Sequence, residues 1–351
     1  MSVKTIANLA CPSPLMAKDT VLLGHGSGGT MSAELIRDVF LPAFQNPVLA
    51  RLDDQAIVQV NGSRLAFTTD SFVVKPLFFP GGDIGSLAVH GTVNDLAMGG
   101  AKPLFLSAAF ILEEGLSIDV LRRVVCSMRE AATSAGVAIV TGDTKVVEKG
   151  SGDQLFINTT GIGIVPNGIN LSANLARPGD VVLLSGTIGD HGIAILAERE
   201  GLEFDSLIRS DSAALHDLVA NMLAVSRNIR CMRDPTRGGM SSALNEIAAT
   251  SKVGIELIER EIPVREEVRG ACEMLGLDPL YVANEGKLIA IAPAEDAQAL
   301  LATMLNNPLG KNACIIGKVT EAHPGLVTMR TDFGTSRIVD MLAGDQLPRI
   351  C

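Results

Sequence analysis

Acidic residues recur at the ends of apolar stretches: Asp54 in LDDQA, Asp70 in FTTDSF, Asp95 in GTVNDLAMGG, Asp143 in VTGDTK and Asp234 in MRDPTRGG. Carboxylates that converge in a cleft are hard oxygen ligands, the kind that Mg²⁺ takes when it also carries a phosphate. Each alone fits a turn or an N-cap equally well, because an Asp side chain satisfies nearby backbone donors. Two glycine-rich segments suit an anion. HGSGGT (25–30) precedes a helical pattern from Met31 to Phe40 and would present free N–H groups at a helix start. It lacks the G-x-x-x-x-G-K-S/T spacing of a Walker loop, and a plain flexible turn is the competing reading. TRGG (236–239) carries Arg237, which either clamps a phosphate through two N–H groups or pairs with a surface Asp. In GDHG (189–192), Asp190 and His191 read as capping residues.

Lys145, and Glu285 with Lys287 in ANEGK, are charged groups in turns or after apolar strands. Burial would push a Lys and a Glu towards neutrality, where they can exchange a proton; on the surface they are ordinary turn charges. A further nucleophile stands in LPRIC. Cys351 sits on a tail opened by Pro348, and Arg349 nearby favours the thiolate, the reactive form. A prenylation box would need its Cys four residues from the end, so that reading fails.

The elements that must position these groups come from a chain of 351 residues, 47% hydrophobic and 19% charged, long enough for two domains with sizeable cores. Aromatics are 3% with no Trp and the net charge is −10, which argues against nucleic acid as a partner. Every apolar run is cut short of the ~18 residues a membrane helix needs, and the N-terminal segment is too short for a secretory leader, so a cytoplasmic protein is expected. The cysteines are scattered without a C-x-x-C pair, which supports neither zinc nor a disulfide scaffold.

Residues 1–20 read as an extension. Strands are expected at 64–69, 105–112, 137–141 and 155–165, with a helix that starts after Ser117 as N-cap and ends before Gly136. The segment 166–180 is rich in Pro, Asn and Gly, which puts a boundary near 170: an N-terminal domain over 21–170, a C-terminal one over 171–340 and a tail over 341–351. The second series opens with a strand at 180–186, helices at 191–200 and 239–250, and strands at IRCM, GIELIE, LIAIA and ACIIGKV. Strands without crossover helices point to α+β character with mixed α/β features.

HGSGG, TTDSFVVKPLFFPGGDIG, GTVNDLAMGGAKP, FILEEGL, TGDTKVV, LSGTIGDHG, RDPTRGG, ANEGK and PRIC together resemble the HypE carbamoyl dehydratases of [NiFe]-hydrogenase maturation. That family lies in the superfamily of aminoimidazole ribonucleotide synthetase, selenophosphate synthetase and thiamine monophosphate kinase. The resemblance runs from about Val21 to Cys351. It implies the two-domain synthetase-like fold and a homodimer whose N-terminal domains pair through their sheets, with ATP and Mg²⁺ in the cleft. It implies Asp54, Asp70, Asp95 and Asp143 as metal ligands, and His25, Gly26, Gly28, Gly29, Asn94, Asp234 and Arg237 as the nucleotide-binding set. Catalysis would rest on Cys351, with Lys145 and Glu285 as the proton-handling pair. The Cys351 sulfur would receive a carboxamide from the carbamoyltransferase HypF, the enzyme would dehydrate it to a thiocyanate, and the nitrile would pass to a HypC–HypD scaffold complex. Two readings stay open beside it: a kinase or synthetase of the superfamily, which would not need Cys351, and a carrier that shuttles a thiol-bound group without catalysis. The extension before Val21, with Cys11, departs from the family pattern and has no assigned role.

Overall fold

The computed structural model describes residues 20–202, 204 and 207–344. Cys11, Cys351 and the tail beyond Gly344 lie outside the described residues.

A short helical arm comes first: α1 (Thr30–Leu35), a π-turn at Ile36–Phe40 and α2 (Leu41–Ala43). The first sheet is built from β1 (Ala56–Val60), β2 (Ser63–Phe72), β5 (Lys102–Glu113), β6 (Ala138–Val147) and β7 (Leu155–Ile164), in the order β1-β2-β7-β5-β6. Pairing is antiparallel except between β5 and β6, whose crossover is α4 (Ile118–Ser134). Ser117 caps α4 by accepting from Asp119 N–H, and Gly136 follows at φ +65°, as the sequence predicts. A small hairpin, β3 (Phe78–Phe79) and β4 (Gly82–Asp83), leads into α3 (Ile84–Met98). Asp83 accepts from the N–H groups of Gly85 and Ser86 while Ser86 answers to Asp83 N–H, a capping box that fixes where α3 begins.

α3 is buried on nearly every side because it lies between the inner face of this sheet, α4 and the second unit. Phe72, Leu87, Val93, Leu106, Val124 and Ile157 fill the space between α3, α4 and the sheet. Gly161 permits the close approach, since a Cβ there would stand 2.7 Å from the Thr92 methyl and 2.8 Å from Leu96. The outer face of the sheet differs. It exposes Val58, Val60, Phe67, Phe105, Ile111, Ile162 and Ile164, an apolar surface that none of the described residues covers.

The second sheet has the order β14-β13-β10-β12-β8-β11-β9. Its strands are β8 (Asp180–Leu184), β9 (Cys231–Arg233), β10 (Gly254–Ile258), β11 (Ile289–Pro293), β12 (Cys314–Thr320), β13 (Val327–Arg330) and β14 (Ser336–Ile338). Among the described residues, the α-helices α5 (Asp190–Glu200), α6 (His216–Val225), α7 (Gly239–Ser251), α8 (Glu266–Leu275) and α9 (Ala297–Asn306) accompany it. A core of Val182, Leu184, Leu244, Ile247, Leu257 and Ile289 lies on one face. On the other, Leu183, Leu218, Met222, Ala290 and Leu300 pack with Ala66, Leu96 and Met98 of the first unit, so one apolar cluster joins the two halves. The fold is α+β, as expected. Among the described residues no helix is long and apolar enough to cross a membrane.

Candidate active site

The two glycine segments interlock. Gly28 takes φ +76°, and a Cβ there would lie 2.5 Å from the Arg237 carbonyl oxygen; Gly238 takes φ +77°, and its Cβ would lie 2.7 Å from the Gly28 carbonyl oxygen. Only glycine allows both the left-handed backbone and the contact. Arg237 Nη1 donates to the Gly26 carbonyl at 3.3 Å and ties the loops together. Beneath them opens a cleft of about 380 Å³, lined among others by His25, Gly29, Asp54, Asp234, Arg237 and Glu246. His25 also closes its own turn, where its Nδ1 accepts from Leu22 N–H at 2.9 Å. Gly26 is exposed.

The base of the tail reaches this loop. Thr30 N–H donates to the Leu342 carbonyl at 2.8 Å, Ser241 Oγ donates to Asp340 O at 2.5 Å and Asn245 Nδ2 to Val339 O at 2.8 Å. The segment from Val339 to Leu342 thus runs along α7 to the start of α1, on the rim of the cleft.

Asp70, Asp95, Asp234, Arg237 and Glu285 line an inner cavity that shares Asp234, Thr236 and Arg237 with the cleft. The strand β2 turns Asp70 to its inner face, α3 supplies Asp95, and the loops after β9 and before β11 supply Asp234 and Glu285. Burial is the first cause that lifts each carboxyl, and repulsion from neighbouring acids adds to it at Asp95, Asp234 and Glu285. Asp234 is pushed up to about 8 by burial and by Asp54. Asp95 stands well above the usual carboxylate range through burial, then Asp234, Asp70 and Asp54. Burial, then Asp234, Asp70 and Asp211, raise Glu285, and Arg237 opposes them. Asp70 is raised by burial and held back by Arg237. Asp95 Oδ2 also accepts from Thr68 Oγ1 at 2.8 Å, which fixes its direction.

Several expected members stand elsewhere. Asp143 and Lys145 lie on β6, opposite Ala109 and Ile111 of β5. Parallel neighbours share a face, so both project from the outer side of the sheet, three strands from Asp70, or roughly 14 Å at the usual strand spacing. They pair with each other at 2.8 Å and are exposed. Within one chain, therefore, Asp143 does not join the other carboxylates, and Lys145 does not meet Glu285, so the set that the resemblance implies is not complete inside one chain. The expectation for Asn94 is corrected. It is 1% exposed, its Nδ2 donates to Ala213 O and Glu285 O, and its Oδ1 accepts from Leu215 N–H. Both its N–H donors go to backbone carbonyls and it lines neither the cleft nor the inner cavity, so within this chain it holds the backbone of Glu285 and not a nucleotide. Asp54 lies at the cleft but is joined to Arg233, which also pairs with Glu246 at 2.5 Å. Burial raises Asp54 and Arg233 lowers it.

Sequence reasoning passed over Arg233 and Glu246, and gave no partner to Lys287, which forms a buried pair with Asp211 at 3.0 Å. The signal for Arg233 was its place beside Asp234 at a strand end. Of the remaining cysteines described, Cys231 is raised to about 12, and Cys272 and Cys314 to about 11, in each case chiefly by burial; Cys126 is exposed on α4.

Residues 52–165 match the model of the AIR synthase related protein N-terminal domain, and 177–329 that of its C-terminal domain. The carbamoyl dehydratase HypE of Cupriavidus necator is 61% identical over 94% of this chain and 94% of its own length. The chain belongs to the HypE family. Among solved structures, a HypE–HypF complex superposes with a TM-score of 0.84 at 52% identity, over 88% of this chain and 99% of that one. A hydrogenase maturation protein HypE in complex with ATP does so with a TM-score of 0.80 at 53% identity, over 95% and 100%. Among the described residues no three His, Cys, Asp or Glu side chains are drawn together enough to enclose a metal ion. Buried, repelling carboxylates of this kind fit Mg²⁺ that keeps waters and phosphate oxygens as most of its ligands.

Proposed function

We propose that this protein dehydrates a carboxamide carried on the sulfur of its own Cys351 to a thiocyanate, at the expense of ATP. The observation that carries this reading is the sharing of Asp234, Thr236 and Arg237 by the glycine-loop cleft and the inner acid cavity, with the tail base hydrogen-bonded at the rim. A nucleotide under the glycine loop and a tail entering beside it meet at those residues. His25, Gly26, Gly28, Gly29, Asp234 and Arg237 form the nucleotide side. Asp54, Asp70 and Asp95 would hold Mg²⁺, whose chemistry is to neutralise phosphate charge and orient the γ-phosphoryl group.

The reaction follows from the leaving group. Hydroxide leaves an amide carbon poorly, so the carboxamide oxygen first takes the γ-phosphoryl group and releases ADP. Arg237 stabilises the charge in transit and the loop N–H groups position it. Glu285 then takes one of the two nitrogen protons to leave the O-phosphoryl imidate; as the C–O bond breaks and the C≡N bond completes, the second nitrogen proton leaves with the departing phosphate. Burial and the neighbouring acids raise the proton affinity of Glu285, which makes its ionised carboxylate a stronger base. Water must be kept out, or the phosphorylated intermediate hydrolyses, and a tail that fills its own cleft excludes it.

Asp143 and Lys145 enter this scheme through a second copy. The open apolar face of the first sheet carries both residues and suits a homodimer paired sheet to sheet, so one protomer's Asp143 and Lys145 would serve its partner's cleft. A carbamoyltransferase of the HypF kind would load Cys351, and a HypC–HypD scaffold would accept the nitrile; the setting is cytoplasmic. Intact-protein mass is the test. Loading should add one carboxamide to Cys351, and Mg-ATP should then remove one water. Loading on another cysteine, or water loss without ATP, overturns the reading.

A further inference from the structure

The loop that presents Glu285 is held through both backbone polar groups of that residue. Its N–H donates to Asp211 Oδ1 at 3.1 Å, and its carbonyl accepts from Asn94 Nδ2 at 3.2 Å. Asp211 Oδ2 in turn accepts from Lys287 Nζ at 3.0 Å, and the side chains of that pair are 5% and 12% exposed. Asp211 lies on a strap, Ser210–Ala214, fastened on every side. Ser210 N–H donates to Pro80 O, Ser210 Oγ bonds His191 Nδ1 at 2.8 Å, and Ser212 Oγ bonds His90 Nδ1 at 3.0 Å. Gly286 admits no side chain there, because a Cβ would stand 1.8 Å from the Asp211 carbonyl oxygen. One residue earlier, Asn284 accepts from Gly189 N–H and donates to Pro235 O, next to Asp234.

A buried ion pair is a poor source of stability, since desolvation offsets most of the attraction, so its presence asks for another use. We infer that Asp211 and Lys287 are positioning residues for the dehydration: Asp211 fixes the Glu285 peptide, and Lys287 neutralises Asp211 so that no bare anion faces the Glu285 carboxyl. Neither touches substrate. Asp211 acts through its acceptor oxygen and Lys287 through its charge, and those two roles separate by mutation. The inference rests on Glu285 as the base.

In Lys287→Met a buried anion is left unpaired beside Glu285, so both stability and turnover should fall. The double variant Asp211→Asn/Lys287→Met is neutral and keeps an acceptor for Glu285 N–H; it should fold and turn over within a few-fold of the parent. Asp211→Ala/Lys287→Met is equally neutral but lacks the acceptor. It should fold with an unchanged Kd for ATP, while single-turnover nitrile formation on the carboxamidated full-length chain slows by roughly 10- to 100-fold, the usual effect of a displaced catalytic group. A purely structural pair would make the two neutral variants alike in rate. Equal rates for them, with Glu285→Gln inactive, overturn the positioning role alone. Full activity of Glu285→Gln overturns the assignment of the base itself.

Discussion

The inner acids oppose folding when no cation is present, and Asp234→Asn exposes this. Asp234 rises from the ordinary 3.8 to about 8 through burial and the Asp54 charge. A carboxyl whose proton affinity is raised by folding keeps its proton in the native state while the unfolded chain releases it. Stability therefore falls as pH climbs from 3.8 to about 8 and levels off above that. At about 1.36 kcal/mol per decade, the gap between 3.8 and about 8 sets a ceiling on the order of 6 kcal/mol. Asp54, Asp70 and Asp95 share the same repulsion, so one substitution recovers only part of it, roughly 2–3 kcal/mol.

Asn keeps the volume and removes the charge. In EDTA, Asp234→Asn should melt higher than the parent by roughly 4–10 °C at pH 8.5. Its advantage should shrink steadily towards pH 6, where the parent's carboxyl is protonated in the folded protein. Mg²⁺ should narrow the difference by stabilising the parent more than the variant, and the variant should lose ATP turnover. Differential scanning calorimetry across pH 6–9, with and without Mg²⁺, reads all of this. An Asp234→Asn protein less stable than the parent at pH 8.5 in EDTA, with a pH-independent difference, refutes the reasoning.

Three further outcomes follow from the geometry. Gly29→Ala places a Cβ 2.1 Å from the Leu342 carbonyl oxygen, so the tail base must leave the loop; nitrile formation should slow by about tenfold or more, for a lost backbone hydrogen bond and a displaced tail, and limited proteolysis should cut beyond Asp340 faster. Phe105→Asp, on the outer sheet face, should turn a dimer into monomers by analytical ultracentrifugation without lowering the melting point of the monomer much, because Phe105 is 46% exposed in one chain. Mixed in equal amounts after denaturation and refolding, inactive Asp143→Asn and inactive Glu285→Gln chains should regain up to about a quarter of parental turnover, since half of the dimers are heterodimers and one of the two composite sites in each is intact; no recovery would place Asp143 and Glu285 in the same protomer's site.

The sequence made the strands and the capped helix legible because their signals are local. Alternation in β2 and β7, and Ser117 before α4, need no tertiary information. α3 was invisible as a helix for the opposite reason. Buried on nearly all sides, it has no polar face to set a 3.6-residue period, and its Gly, Val and Thr residues are poor helix formers, so GTVNDLAMGG read only as a motif. The burial of Asn94 was hidden with it, because nothing in the local sequence shows that this helix is enclosed. The position of Asp143 was illegible for another reason. A strand end marks a residue as available for chemistry, but which face it points to and how many strands separate it from Asp70 depend on the order β1-β2-β7-β5-β6, which no local spacing encodes. Arg233 was missed because its partners Asp54 and Glu246 are 179 and 13 residues away. The acids that do converge, Asp70, Asp95, Asp234 and Glu285, share a recognisable local context of small residues and glycines after apolar runs. That context reports backbone that can approach a ligand closely, and in this fold it marks the loops and helix that surround the inner cavity.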